Sequence, residues 1–173
     1  MTDFRDAVRA DAAIIAVIFR DTFVDTFGHL YPPDDLAAFR ATMTADRFRQ
    51  EIADPRFAFR IAQADLGPIG YIKLGPPQLP VETPPDTIEL CQLYILPAWQ
   101  GAGAATALMD WALATAAERG AKHVQLSVYI DNHRARRFYE RYGFTAVGRY
   151  DFMVGTHADE DIVLRHLVLD VAP

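Results

Sequence analysis

The segment Glu89-Leu-Cys-Gln-Leu-Tyr-Ile-Leu-Pro-Ala-Trp-Gln-Gly-Ala-Gly-Ala-Ala105 constrains the fold of this chain more than any other. The apolar run from Ile88 to Ile95 reads as a strand. It passes through a proline turn and a small-residue loop into a helix pattern from Gly103 to Arg119. In that helix Ala105, Leu108, Ala112 and Ala116 share one face, with Met109 and Leu113 beside it. So few polar positions imply a helix packed against a sheet. Gly120 stands where a left-handed residue closes the helix. His123 to Tyr129 follows as a strand, with Val124, Leu126 and Val128 alternating. Strand, helix and strand in this order form a right-handed crossover with two parallel strands.

The rest of the chain is arranged around that unit. Phe4 to Val8 is a short first strand, and Asp11 is the expected N-cap of a helix from Ala12 to Phe27. Ile15, Ile18, Phe19, Thr22, Phe23 and Thr26 share one face of that helix. Gly28 and Tyr31-Pro32-Pro33 end it. Two short helices follow, Asp34 to Ala41 and Thr44 to Ala53, the latter stopped by Asp54-Pro55. Phe57 to Ala64 and Ile69 to Leu74 are strands joined by the turn Asp65-Leu66-Gly67-Pro68. The stretch from Gly75 to Thr87 holds five prolines and is long for a connection without structure. A last short helix, Asn132 to Tyr142, turns Ala135, Phe138 and Tyr142 inward and is stopped by Gly143. Phe144 to Phe152 and Ile162 to Leu169 are the final strands, with 155–161 read as the loop between them. The expected architecture is α/β (α+β): one domain over residues 1–173, a mixed sheet of about seven strands with helices on both faces.

Charge and cysteine content narrow the function classes. Net charge is −6, which argues against nucleic acid and anionic membrane surfaces as partners. Residues 1–35 carry seven Asp against three Arg, so the acidity is concentrated in the helical first third. Cys91 is the only cysteine, so no internal disulfide forms and a cytoplasmic location is expected. The N-terminus lacks the basic-then-apolar order of a signal peptide, and no run is long enough for a membrane span. His29, His123, His133, His157 and His166 show no metal-ligand spacing, and no metal is expected.

A helix N-terminus preceded by small residues presents free amides and partial positive charge, a setting suited to phosphate. Three patterns compete for the loop. A nucleoside-triphosphate loop needs Gly-Lys-Ser/Thr, which is missing. The dinucleotide pattern is nearly met by Gly101-Ala-Gly-Ala-Ala-Thr106, but Thr106 replaces its third glycine and Pro97-Ala-Trp-Gln100 separates strand from loop. The pattern Gln/Arg-x-x-Gly-x-Gly/Ala is met by Gln100, Gly103 and Ala105. Taken alone, the loop is also compatible with a tight turn that holds nothing.

A second block stands downstream: Asn132-His-Arg-Ala-Arg-Arg-Phe-Tyr-Glu-Arg-Tyr-Gly-Phe144. Together, Leu-Tyr-Ile-Leu-Pro-x-x-Gln-x-x-Gly-x-Ala and Asn-x-x-Ala-x-x-Phe-Tyr-Glu-x-x-Gly-Phe resemble the GNAT superfamily of acetyl-CoA-dependent N-acetyltransferases. The order of elements extends the resemblance over nearly the whole chain. Asp21-Thr-Phe-x-Asp-Thr-Phe27, Ile69-Gly-Tyr-Ile-Lys73, Ile88-Glu89 with Leu93-Tyr-Ile95, and Asp151-Phe-Met-x-Gly155 with Asp161 are further similar to the bacterial spermidine/spermine N-acetyltransferases of the PaiA type.

The resemblance implies a GNAT fold in which pantetheine lies between the strands 88–95 and 123–129. Leu93, Tyr94 and Ile95 would pair with it through their backbone, and the amides of Gln100, Gly101, Ala102, Gly103, Ala104 and Ala105 would hold the pyrophosphate. Asn132 would bond the pantetheine arm, with capping of its own helix as a compatible role. Arg134 and Phe138 complete the expected cofactor contacts. Arg136, Arg137 and Arg141 otherwise read as a solvated helix face. Tyr139 takes the position of the general acid that protonates the departing thiolate. Glu89 is the expected base, directly or through water, with a surface ion pair as its alternative role. Cys91 reads as a packed strand residue rather than a nucleophile.

The implied reaction is direct transfer of the acetyl group of acetyl-CoA to a primary amine of a small cationic acceptor, spermidine or spermine by the narrower resemblance. An amino acid, an antibiotic, a protein N-terminal amine, or a silent CoA-binding sensor are the competing readings. Phe27, His29 and Tyr31 are expected to line the acceptor pocket. Asp21, Asp25, Asp35, Glu82, Asp159 and Glu160 are the candidate acids around it. Exposed strand edges in this architecture often pair, which leaves a homodimer open as an assembly.

Overall fold

The computed structural model describes residues 1–168. Seven strands form one mixed sheet: β1 (Asp3–Asp6), β2 (Ala58–Ala64), β3 (Gly67–Gly75), β4 (Thr87–Ile95), β5 (His123–Tyr129), β6 (Thr145–Val154) and β7 (His157–Leu167). Their order across the sheet is β1-β2-β3-β4-β5-β7-β6. Only β4 and β5 run parallel, as the crossover requires. Helices α1 (Ala12–Phe27), α2 (Pro33–Thr42) and α3 (Ala45–Ala53) precede β2. Helix α4 (Ala104–Glu118) makes the crossover, and α5 (His133–Arg141) follows β5.

The sheet separates two cores. On one face Leu108, Met109, Ala112 and Ala116 of α4 meet Ile72, Leu74, Leu90, Val124 and Leu126, all buried. The expected apolar stripe of α4 is therefore the buried one. Its closing glycine, Gly120, has φ +75°, and Ala121 N–H donates to the Ala116 carbonyl. On the other face Ile15, Ile18, Phe19 and Phe23 of α1 pack on Phe48, Ile61, Tyr71 and Tyr94. Phe19 lies edge-on to Tyr94 at 5.3 Å between ring centroids. Lys73 is buried in this region. Its Nζ donates to Glu51 Oε2 at 2.6 Å and faces the Phe57 ring at 5.1 Å, so the ammonium has both a counter-charge and an aromatic surround.

Two expectations change. Asp11 does not cap α1 through its side chain; its carboxylate accepts from the Val8 amide and both Arg5 guanidinium nitrogens. The Arg5 ion pair wins because the preceding turn already brings it within 2.7 Å. Residues 155–161 are not a loop. β6 and β7 form one hairpin turned by Gly155-Thr156, and His157 to Asp161 belong to β7. Gly155 takes φ +59° there, and a Cβ would collide with the Asp35 carboxylate, so the turn needs glycine twice over. Asp35 Oδ2 accepts from Thr156 N–H and Oγ–H at 3.2 Å, which fastens α2 to the hairpin. Finally, Leu169, expected as the end of the last strand, lies outside the described residues.

Candidate active site

β4 and β5 are paired only at Thr87–His123, Ile88–Val124 and Glu89–Gln125. Beyond that point the two strands diverge, although β4 continues to Ile95 and β5 to Tyr129. A bulge helps to turn β4 away: Lys73 faces Gln92 and Leu74 faces Leu90, leaving Cys91 as the extra residue. The divergence opens a cleft of about 760 Å³ through the sheet. Its walls run from the loop before α4 to the β6–β7 hairpin.

One end of the cleft is the α4 N-terminus. Gly101 and Gly103 have φ +85° and +87°, values that side-chain-bearing residues rarely take. Both glycines line the cleft at the positive end of a fifteen-residue helix, where the first amides lack partners within the helix. Gln100 ties this loop to both neighbours: its Nε2 donates to the Ile95 carbonyl at 3.0 Å and its Oε1 accepts from Arg134 at 2.5 Å. Gln100, Gly101, Gly103 and Ala105 line the cleft. Ala102 is exposed outside that lining, and Ala104 is buried in the core.

The middle is formed by Leu93, Tyr94 and Ile95 on one side and by α5 on the other. Asn132 caps α5, its Oδ1 accepting from Ala135 N–H at 3.2 Å, and also lines the cleft. Arg134, Phe138 and Tyr139 line it too. Tyr139 is 8% exposed, and burial raises its phenol above the ordinary value, so it stays protonated through neutral pH. Arg137 and Arg141, one helical turn apart, join Arg134 on this wall.

The far end is aromatic and acidic. Phe27, Tyr31, Tyr129 and Phe152 surround it, with Phe27 edge-on to Tyr129 at 6.2 Å. His29 is exposed and outside the lining. Asp159 and Asp161, 6% and 7% exposed, project into the cleft from the same face of β7. Burial, with Asp159 adding to it, pushes the Asp161 carboxyl up to about 6 against the opposing effect of Ser127 and Tyr150. Tyr150 donates to Ser127 at 3.1 Å beside it.

The remaining candidate acids are used elsewhere. Asp21, Asp25 and Glu82 are exposed, Asp35 holds the hairpin turn, and Glu160 pairs with Arg149 at 2.6 Å. Glu89 is buried outside the cleft lining, and its Oε2 accepts from the amides of Gln78 and Leu79 at 2.7 and 3.2 Å. Burial raises its carboxyl despite those bonds. Cys91 lines the cleft, but burial pushes its thiol up to about 12, far from a reactive thiolate. Asp161 is the site residue that sequence reasoning left inside a presumed loop. The signal for it was the alternation His157, Asp159, Asp161 against Ala158, Glu160, Ile162, a strand pattern whose inward members are polar.

A sheet split between its two parallel strands, over a glycine-turned helix end, places the chain among the acetyltransferases of the GNAT type. The model of the Acetyltransferase (GNAT) family matches residues 17–144. An N-acetyltransferase of Mycobacterium tuberculosis, itself uncharacterised, is 38% identical over 160 residues, covering 91% of this chain and 99% of that protein. An uncharacterised N-acetyltransferase of Lactobacillus delbrueckii is 30% identical over 150 residues, covering 86% and 87%. The chain belongs to the GNAT acetyltransferase family. In fold it resembles PaiA N-acetyltransferase of Thermoplasma acidophilum, solved with coenzyme A, with a TM-score of 0.77 at 20% identity over 96% of this chain and 99% of that one. It also resembles Arabidopsis thaliana NAA60 solved with a bisubstrate analogue, with a TM-score of 0.74 at 15% identity over 96% and 98%.

Proposed function

We propose that this chain transfers the acetyl group of acetyl-CoA directly to a primary amine of a small cationic acceptor of the polyamine class, in the cytoplasm. The observation that carries the reading is the single cleft that joins amides at a helix N-terminus to a buried acidic end. The amides of Gly101, Gly103 and Ala105 suit the pyrophosphate, and Arg134, Arg137 and Arg141 suit the remaining phosphate charge. The free edges of β4 and β5 suit the amide-bearing pantetheine arm, which can pair with Leu93, Tyr94 and Ile95 as an added strand.

Acetyl-CoA supplies an activated thioester. The protein holds the attacking nitrogen against its carbonyl carbon and excludes water. A β4 amide near Leu93 would bond the oxygen as charge develops on it. Tyr139, protonated at neutral pH, donates to the departing sulfur and is reprotonated from solvent. The aromatic and acidic far end favours an aliphatic cation over an anion or a neutral sugar.

A screen of thiol release from acetyl-CoA over diamines, polyamines, amino acids, aminoglycosides and short peptides tests this reading. Turnover highest with polyamines is the expected result. Preference for a peptide N-terminus or an amino acid would replace the acceptor class. Binding of acetyl-CoA without turnover of any amine would favour a sensor.

A further inference from the structure

The acidic end of the cleft contains an unusual vacancy of bonding. Asp159 is 6% exposed, and its Oδ1 lies 3.2 Å from His157 Nε2. Its Oδ2 is buried with no hydrogen-bond partner among the described residues. The Tyr31 hydroxyl is a hydrogen-bonding neighbour of the Asp159 carboxylate, and burial together with Asp159 raises its phenol, but Oδ2 itself has no partner in strict hydrogen-bonding geometry. A buried carboxylate oxygen without a donor costs free energy, so a site that keeps one is arranged for a donor that arrives from outside. Two residues on, Asp161 faces the same space between Ser127, Tyr150 and Tyr94. No Lys or Arg is paired with either carboxylate among the described residues.

We propose that these two carboxylates divide the recognition of a doubly charged acceptor: Asp161 takes the proton from the attacking nitrogen, and Asp159 Oδ2 binds a second ammonium of the same molecule. This rests on the acetyl-transfer reading above and adds to it the residues that select and deprotonate the acceptor. Alternate residues of a strand lie about 6.6 Å apart. That spacing matches two ammonium groups joined by a few methylenes, which the rings of Phe27, Tyr31 and Tyr129 would cover. In the reaction an N–H proton passes to the Asp161 carboxylate, and the freed nitrogen pair forms the N–C bond. The C–S bond breaks, and the thiolate takes the Tyr139 proton. As the carbonyl re-forms, the nitrogen gives up its second proton to solvent, which returns one to Tyr139. The N-acetylamine and CoA thiol leave, and the proton on Asp161 is lost to solvent, so that one proton is released overall.

The groups facing Asp161 are Ser127 and Tyr129 from β5, Tyr150 from β6, Asp159 from its own strand, Tyr94 from β4 and Tyr31 from the turn after α1. His157 is the one base in the cluster, and it contacts Asp159. The acid limb of the pH–rate profile therefore belongs to Asp161.

The test uses the intact protein with 1,4-diaminobutane and butylamine as acceptors. Asp159→Asn is expected to lower the diamine-to-monoamine ratio of kcat/KM at least tenfold; an unchanged ratio overturns the role of Asp159. Asp161→Asn is expected to lower kcat at pH 7 by at least a hundredfold and to flatten the acid limb, with partial rescue by Asp161→Glu. An unmoved acid limb overturns the role of Asp161. Quenching of Trp99, which lines the cleft, by acetyl-CoA reports whether each variant keeps its fold. If the wild type acetylates no amine, acetyl transfer fails as the function, and calorimetry of 1,4-diaminobutane binding to the CoA-loaded protein decides the subsite separately. Heat that is lost in Asp159→Asn supports it, and no heat with the wild type overturns it.

Discussion

Glu89 and Gln125 are the last residues at which β4 and β5 pair, and both side chains reach the loop between β3 and β4. Glu89 accepts the Gln78 and Leu79 amides, and Gln125 Nε2 donates to Thr83 Oγ1 at 3.2 Å. Arg165 adds a bond to the Glu82 carbonyl at 2.7 Å. The cleft therefore opens where the proline-rich loop is fastened to the sheet. Glu89 closes the seam behind the site.

That placement separates two substitutions. Glu89→Gln keeps an acceptor oxygen and removes a buried charge whose carboxyl burial raises. Because its folded-state value lies above the unfolded one, stability falls as pH rises through it, so the Gln variant is expected to match or exceed the wild-type Tm at pH 8. Glu89→Ala leaves two loop amides unpaired and is expected to cost about 1–3 kcal/mol and to expose Gly75–Thr87 to protease. Thermal melts and limited proteolysis check both. A loss of kcat in Glu89→Gln concentrated at low pH would return the base to Glu89.

Asp161 carries the clearest pH signature. Its carboxyl is raised from 3.8 to about 6, so the folded state binds the proton more tightly than the unfolded chain. Its unfavourable contribution is absent below about pH 4 and grows as pH rises to 6 and above. Asp161→Asn should stabilise the protein at pH 8 by about 1–2 kcal/mol, after allowance for solvent screening, and by little at pH 4. Denaturant melts at the two pH values check this. The same variant loses activity, a trade expected where a charge is held in an unfavourable place for function.

Tyr139→Phe removes one hydroxyl from the cleft and leaves the ring packed on Phe138 and Phe144. The expected result is a fall in kcat of about 10²–10⁴ with acetyl-CoA binding retained. Single-turnover measurement separates chemistry from binding. Because burial raises the phenol, no falling limb from Tyr139 is expected between pH 7 and 9.

Gly70 faces Ile95 across β3 and β4, and a Cβ there would lie 2.6 Å from the Tyr94 carbonyl oxygen. Backbone cannot yield as a side-chain tip can. Gly70→Ala should destabilise by about 1–3 kcal/mol and weaken acetyl-CoA binding by displacing the edge of β4. Melting and ligand titration on one preparation show both effects.

The crossover and the helix stripes were legible because apolar periodicity is strong where burial is complete, as at Leu108, Ala112 and Ala116. The glycine loop was legible because left-handed backbone demands particular residues. Tyr139 and Asn132, which both line the cleft, were expected there only through their shared spacing with a known family. The acidic end was legible only in part, as Asp159 among six candidate acids. Asp159 and Asp161 occupy inward strand positions where an apolar residue is expected, so the strand looked like a loop. Asp35, an apparent pocket acid, caps a turn 121 residues away, and nothing local to α2 announces that partner.

The gap between β4 and β5 leaves a row of backbone donors and acceptors facing one another too far apart to meet. With pantetheine laid between them, the sheet becomes continuous through a strand that the ribosome did not make. Acetyl-CoA would then be a part of the folded architecture as well as a reagent. At a hundred times its dissociation constant such a ligand adds about 2.7 kcal/mol to stability. Amides of Leu93 and Ile95, which alternate with the β3-facing amides of Tyr94 and Leu96, should exchange slowly with solvent only while it is bound. The seam between β4 and β5 would then be firmest when the reagent is in place.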